Sequence, residues 1–112
     1  TQASSSAASD VYKRQAMGKA FIVSSYRGSP QPERLAEYAG PARKAFEANG
    51  GRFIVRGLPA HTYEDGLSER TIIIEFASVE KAMAAYESPA YQAARKLLGP
   101  VSRDVRVVEQ AD

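Results

Sequence analysis

Hydrophobic and polar positions along this chain follow two different periods, and each change of period marks the boundary of an element. Residues 19–25, with Phe21, Ile22 and Val23 between Gly18 and Gly28-Ser29-Pro30, have the composition of a β-strand. Leu35, Tyr38, Ala39, Ala42 and Phe46 then recur at the spacing of one helix face, predicting a helix over residues 33–49 that Asn49-Gly50 stops. Pro41 cannot donate to the carbonyl of Glu37, so a kink or a broken turn is expected at Gly40-Pro41. Between Gly50-Gly51 and Gly57 the period falls to two. Phe53 and Val55 alternate with Arg52, Ile54 and Arg56, a strand with one apolar face and two guanidiniums on the other.

Residues 58–69, containing Pro59, His61, Asp65-Gly66 and Ser68, are long for a hairpin connection and rich in turn formers. Residues 70–76 are almost continuously apolar apart from Glu75, the pattern of a central strand. Ser78 is placed to cap a helix with Val79, Ala82, Met83 and Tyr86 as its buried stripe and Glu80 in its first turn. Ser88-Pro89 opens a second short helix, in which Tyr91, Ala94 and Leu98 carry the stripe as far as Gly99-Pro100. Over residues 101–109, Val105 and Val107 alternate with Asp104, Arg106 and Val108 as a final strand.

The order is β-α-β-β-α-β, an α+β, ferredoxin-like arrangement in which a four-stranded antiparallel sheet carries its helices on one face. The other face is left bare. Ile54, Ile73 and Val108 among charges on that face are costly to leave in water, and a second copy related by twofold symmetry is the simplest cover. Residues 1–16 have no periodicity and no apolar run, and the run Asp10-Val11-Tyr12-Lys13-Arg14-Gln15 resembles a translated transposon-type sequencing adaptor. We read 1–16 as a disordered tail of artefactual origin, with Met17 as the start and 17–112 as a single ferredoxin-like domain.

Composition narrows the functional classes. Among 112 residues, 44% are hydrophobic and 25% charged, an ordinary globular balance with no membrane-spanning run, and the reading is of a cytoplasmic protein. The formal charge of +2 has no basic stripe behind it, so no nucleic-acid partner is expected. With no cysteine and one histidine, thiolate chemistry and a multi-histidine metal site within one subunit are excluded. No glycine-rich nucleotide loop, Walker loop or serine nucleophile elbow occurs, so no cofactor is expected.

The ligand-binding candidates are Arg56, Arg52, Glu75 and His61. With Ile54 opposite Ile73, the register places Arg52 opposite Glu75 and Arg56 opposite Thr71, all on the bare face, with Phe53 and Val55 on the helix side. Two readings follow: a cleft whose guanidiniums hold a small carboxylate or enolate, or a structural Arg52–Glu75 pair within a dimer interface. A free imidazole titrates at about 6.5, suited to proton transfer near neutrality, so His61 is read either as a general base or as a solvated loop residue. Tyr26, Tyr38, Tyr86 and Tyr91 either line an aromatic pocket or belong to the core.

Gly50-Gly51-Arg52-Phe53 with Arg56-Gly57, then Ile74-Glu75-Phe76-Ala77-Ser78, then Ala82 with Tyr86-Glu87-Ser88-Pro89-Ala90-Tyr91-Gln92, form an ordered set. Together they resemble the domain-of-unknown-function family 1330, within the dimeric α/β-barrel superfamily, over about residues 17–110. The chain departs from that pattern at Gln110, where a glycine is expected after Glu109. The resemblance implies a homodimer with its two sheets facing each other, and it implies no activity, because the superfamily spans monooxygenases, isomerases, haem enzymes and binding proteins. The expected function is binding of a small carboxylate or aromatic ligand without turnover, and the alternative is a cofactor-independent enzyme of the isomerase or monooxygenase kind.

Overall fold

The computed structural model describes residues 18–111. The expectation of a disordered, artefactual tail over 1–16 lies outside them. The elements are β1 (Ala20–Tyr26), α1 (Pro32–Ala48), β2 (Arg52–Gly57), β3 (Thr71–Phe76), α2 (Val79–Glu87), α3 (Pro89–Leu98) and β4 (Arg103–Glu109). All strand pairs are antiparallel, and the sheet runs β2-β3-β1-β4. This is the ferredoxin-like α+β fold that the order of elements predicts. Among the described residues no helix is long and apolar enough to cross a membrane.

The core lies between the sheet and the helices. Along β1 and β3 burial alternates strictly, so Ala20, Ile22, Ser24 and Tyr26, with Ile72, Ile74 and Phe76, point at the helices. From above they meet Tyr38, Ala42, Ala45 and Phe46 of α1, and Tyr91, Ala94 and Leu98 of α3. Phe46 is the hub of this packing, with ring centroids 6.1 Å from Phe53, 6.2 Å from Phe76 and 4.4 Å from Tyr91. The α1-to-β2 turn is shaped around that cluster. Gly50 has φ +85°, and a Cβ at Gly51 would stand 2.8 Å from both the Phe46 carbonyl oxygen and the Phe76 ring, so the chain can enter β2 this closely only without side chains.

Local signals set the helix ends as expected. Ser78 accepts from the Lys81 N–H at 3.1 Å, and Ser88 accepts from the Tyr91 N–H at 3.2 Å, each satisfying an orphan donor of the first turn.

Three expectations are corrected. The helix is not broken at Gly40-Pro41, because both residues lie on its exposed side and the buried stripe from Tyr38 to Phe46 holds the turns on either side together. Met83 is not core, since α2 buries Ala82 and Ala85 and leaves Met83 45% exposed beside Val107 at the sheet's β4 edge. The third correction reshapes the site: β2 and β3 pair Arg52 with Glu75 and Phe53 with Ile74, then Val55 with Ile73 and Arg56 with Ile72, so Ile54 is the extra residue of a β-bulge.

Candidate functional site: an arginine-rimmed cavity between helices and sheet

One inserted residue reverses the parity of everything beyond it. Before the bulge Phe53 faces the helices, as expected. After it, Val55 stands with Ile54 on the bare face, and Arg56 turns to the helix side instead of facing Thr71. Strand register then sets out rows of side chains beneath the helices. The Tyr26 N–H donates to the Arg70 carbonyl at 2.9 Å and Tyr26 pairs with Arg103, so Arg70, Tyr26 and Arg103 stand abreast at one end of the sheet. The next row is Arg56, Ile72, Ser24 and Val105, and the one after is Phe53, Ile74, Ile22 and Val107.

Between these rows and the helices lies a cavity of about 40 Å³. Ile22, Ile74, Phe46 and Phe53 make its apolar end, while Arg56, Arg70 and Arg103 gather at the other. Arg103 donates through Nη1 to the Tyr38 hydroxyl and through Nη2 to the Tyr91 hydroxyl, both at 3.3 Å, and those two phenol oxygens are 2.9 Å apart. Its guanidinium carbon also lies 5.5 Å from the Tyr26 ring centre and 5.8 Å from that of Tyr38. Arg56, at the exposed rim, lies 5.6 Å from the Phe53 ring centre.

Electrostatically the cavity is one-sided. Among the described residues no aspartate, glutamate or histidine lines it, and Arg56, Arg70 and Arg103 make no ion pair. Burial works against the charge of Arg103, but the tyrosine oxygens around it more than offset this, and its pKa moves up. Burial pushes the Tyr38 hydroxyl up as well, with Tyr91 adding to the shift and Arg103 only partly opposing it, so Tyr38 stays a neutral phenol. Burial likewise raises Tyr26.

A count of hydrogen bonds shows what the cavity lacks. Arg103 uses two of its five N–H groups on the phenols, and only one of the two phenol hydrogens is taken up between Tyr38 and Tyr91. Ser24 Oγ is fully buried and has no hydrogen-bond partner among the described residues. The site is rich in donors and short of acceptors.

The structure separates the residues that the sequence singles out. Arg52 and Glu75 do meet on the bare face: Arg52 Nε donates to Oε1 at 3.0 Å, Nη2 is 2.9 Å from the same oxygen, and Lys19 Nζ takes Oε2 at 3.0 Å. Hydrogen bonds from Lys19 and then Arg52 hold the Glu75 carboxyl below its usual range. His61 is exposed in the β2-to-β3 loop, its ring 4.7 Å from that of Tyr63, over an open groove by Ser25, Thr71 and Asp104 rather than beside Arg56. Among the described residues no group of three or more acids or histidines could hold a metal ion. Arg70 and Arg103 escaped notice in the sequence although the signal was there. Arg70 shares its parity with Ile72 and Ile74, and Arg103 shares its own with Val105 and Val107, so each puts a charge at the end of an apolar row.

Comparison with known proteins agrees on the architecture. Residues 19–111 match the family described as a domain of unknown function (DUF1330), and the chain belongs to that family. No curated protein matches it in sequence. Its fold is similar to that of a protein of unknown function from Rhodopseudomonas palustris, at 21% identity, 92% coverage of both chains and a TM-score of 0.62. It is also similar to a dimeric ferredoxin-like protein of unknown function from Thermobifida fusca, at 17% identity, with 86% of this chain and 92% of that one covered and a TM-score of 0.54. A variant of SnoaB, a cofactor-independent oxygenase from Streptomyces nogalater, matches at 16% identity over 80% of this chain and 90% of that one, with a TM-score of 0.54. Identities this low carry the fold and no activity.

Proposed function

We propose that this protein binds a small organic anion in the cavity between α1, α3 and the sheet, without turnover, and that it does so as a homodimer. The observation that carries the reading is a lining with three guanidiniums and, among the described residues, a buried unpartnered hydroxyl and no carboxylate. Arg103, half-buried, leaves three of its five N–H groups unused by the phenols, and a carboxylate entering the site would accept from them in charge-assisted hydrogen bonds. The apolar end, from Ile22 to Phe53, would take the body of the ligand.

Binding without turnover is favoured over isomerase or monooxygenase chemistry by the same lining. Proton abstraction needs a base near neutrality within hydrogen-bond reach. Neither His61 nor Glu75 reaches the cavity, and Tyr38 is shifted away from ionisation. Dimerisation is supported by the bare face, where Ile54, Val55 and Val108 are each 43% exposed beside Phe21, Val23 and Ile73. The Thermobifida fusca relative of the same fold is described as dimeric.

The test is a thermal-shift screen of small aliphatic and aromatic carboxylates on the wild type and on Arg103→Leu. A ligand that binds only the native state stabilises it by about 2.7 kcal/mol at a hundred times its Kd, which a melting curve resolves. Stabilisation of the wild type and not of the variant is the expected result. Equal shifts in both proteins, or no shift with any acid, would refute the assignment.

A further inference from the structure

We infer that the anion this site takes is a 2-hydroxy or 2-oxo carboxylate of about three carbons, whose 2-oxygen is read by Ser24. The inference rests on the anion-binding reading above and deepens it. Ser24 sits in β1, a strand paired on both sides, and its side chain stands on the helix face among Ile22, Ile72 and Val105. An alanine or valine would pack there at no polar cost. Instead the residue is only 6% exposed, and its hydroxyl oxygen is buried with no hydrogen-bond partner among the described residues. Buried hydroxyls are almost always paired, and leaving one unpaired is unfavourable, so this one points to a partner supplied from inside the cavity.

Register says where that partner must be. Ser24 is a diagonal cross-strand neighbour of both Arg70 and Arg103 on the helix face, a separation of roughly 7–8 Å between backbones that arginine side chains span. Tyr26 stands between the two arginines, one row from Ser24, so a carboxylate held by those guanidiniums on the cavity side of the Tyr26 ring brings an oxygen on its neighbouring carbon toward the Ser24 hydroxyl. Size agrees. The cavity of about 40 Å³ has room for about three waters, at roughly 10–15 Å³ each, a space that suits an acid of only a few carbon atoms. A serine hydroxyl donates to an oxo group and accepts from a hydroxyl, so either oxidation level of the ligand fits.

Propionate, lactate and pyruvate share a three-carbon carboxylate frame and differ at the 2-position, so calorimetric titration of the three tests the inference on the unaltered protein. We expect lactate or pyruvate to bind the wild type about tenfold more tightly than propionate, the yield of one neutral hydrogen bond to a group otherwise left unpaired. Ser24→Ala should close that gap while leaving propionate unchanged, with Ser24→Thr, which keeps a hydroxyl, retaining part of it. If propionate binds the wild type as tightly as the other two, or if Ser24→Ala leaves the gap open, Ser24 does not read the ligand, although the anion site stands. Binding of aromatic acids but of none of these three would overturn the ligand class alone. No acid binding at all would overturn both readings.

Discussion

The two faces of the sheet carry similar numbers of arginines and use them in opposite ways. On the bare face Arg52 shares Glu75 with Lys19, and Arg106 bonds Asp104 through Nε and Nη2 at 2.9 and 3.0 Å, so each cation has its acid. Beneath the helices Arg56, Arg70 and Arg103 line a cavity and have none among the described residues. A paired charge at a surface contributes little and is satisfied where it stands. One that lines a cavity without an acid beside it keeps N–H groups free for an anion, and it is the better guide to a ligand. Apolar residues divide the other way: the helix face buries Ile22, Ile72, Ile74 and Phe76 and leaves only Val107 at its β4 edge exposed, while the bare face leaves Ile54, Val55 and Val108 half in water.

The largest effect should separate the two faces by stability. Phe46 packs against Phe53, Phe76 and Tyr91, and Phe46→Ala should cost about 3–5 kcal/mol in denaturant unfolding. Ile54→Ala on the bulge should cost well under 1 kcal/mol when measured at concentrations where the protein is monomeric. Comparable losses would mean that the bare face is part of the folding core.

Next in size is anion affinity. Arg103→Leu should weaken carboxylate binding by about 2–4 kcal/mol, and Arg56→Leu, at the rim, by less, with the dimer intact in both. Arg52→Leu should leave affinity alone and affect the fold little, since Lys19 still holds Glu75. Loss of binding on changing Arg52 would put the ligand on the wrong face.

Ile73→Asp tests the bare face directly, by setting an acid in the middle of its apolar patch. Sedimentation should show the dimer dissociation constant rise about a hundredfold, or roughly 2.7 kcal/mol, with the melting transition of the monomer still cooperative. A wild type that sediments as a monomer at every concentration would remove the interface altogether.

The smallest effect is on acid stability. Lys19 and Arg52 hold Glu75 below the ordinary carboxylate value of about 4.3, so its contribution is fully present above that pH. It is lost as pH falls through the lower folded value, because the unfolded chain then binds the proton more readily. Glu75→Gln should flatten that part of the stability curve. Ser24→Ala, beneath the helices, should leave its shape unchanged.

Much of this was legible in the residues. The alternation along β1 and β3, the i, i+3, i+4 stripe of α1 and the Ser78 and Ser88 caps are local, and local sterics and orphan N–H groups are enough to set them. The Arg52–Glu75 pair was legible too, although it joins two strands, because it lies before the bulge, where the expected register holds. Arg70 and Arg103 could have been found by following parity to the ends of their strands. Met83 could not, because which side of a short helix is covered depends on where the sheet beneath it ends.

What the sequence by itself determined is the order of elements, the caps, most of the faces and hence the ferredoxin-like fold. The position of Arg56 was decided only in three dimensions. Nothing in Phe53-Ile54-Val55-Arg56 announces an extra residue, since an unbulged strand would satisfy the same alternation and bury Val55. The pairing with β3 and the packing of Phe53 beneath Phe46 settle where the strand takes up its slack, and that one step carries Arg56 from one face of the sheet to the other. The cavity has the same origin. Its charge comes from three separate strand ends and its hydroxyl from a fourth place in the chain, and only the closed sheet under its helices brings them within a ligand's length.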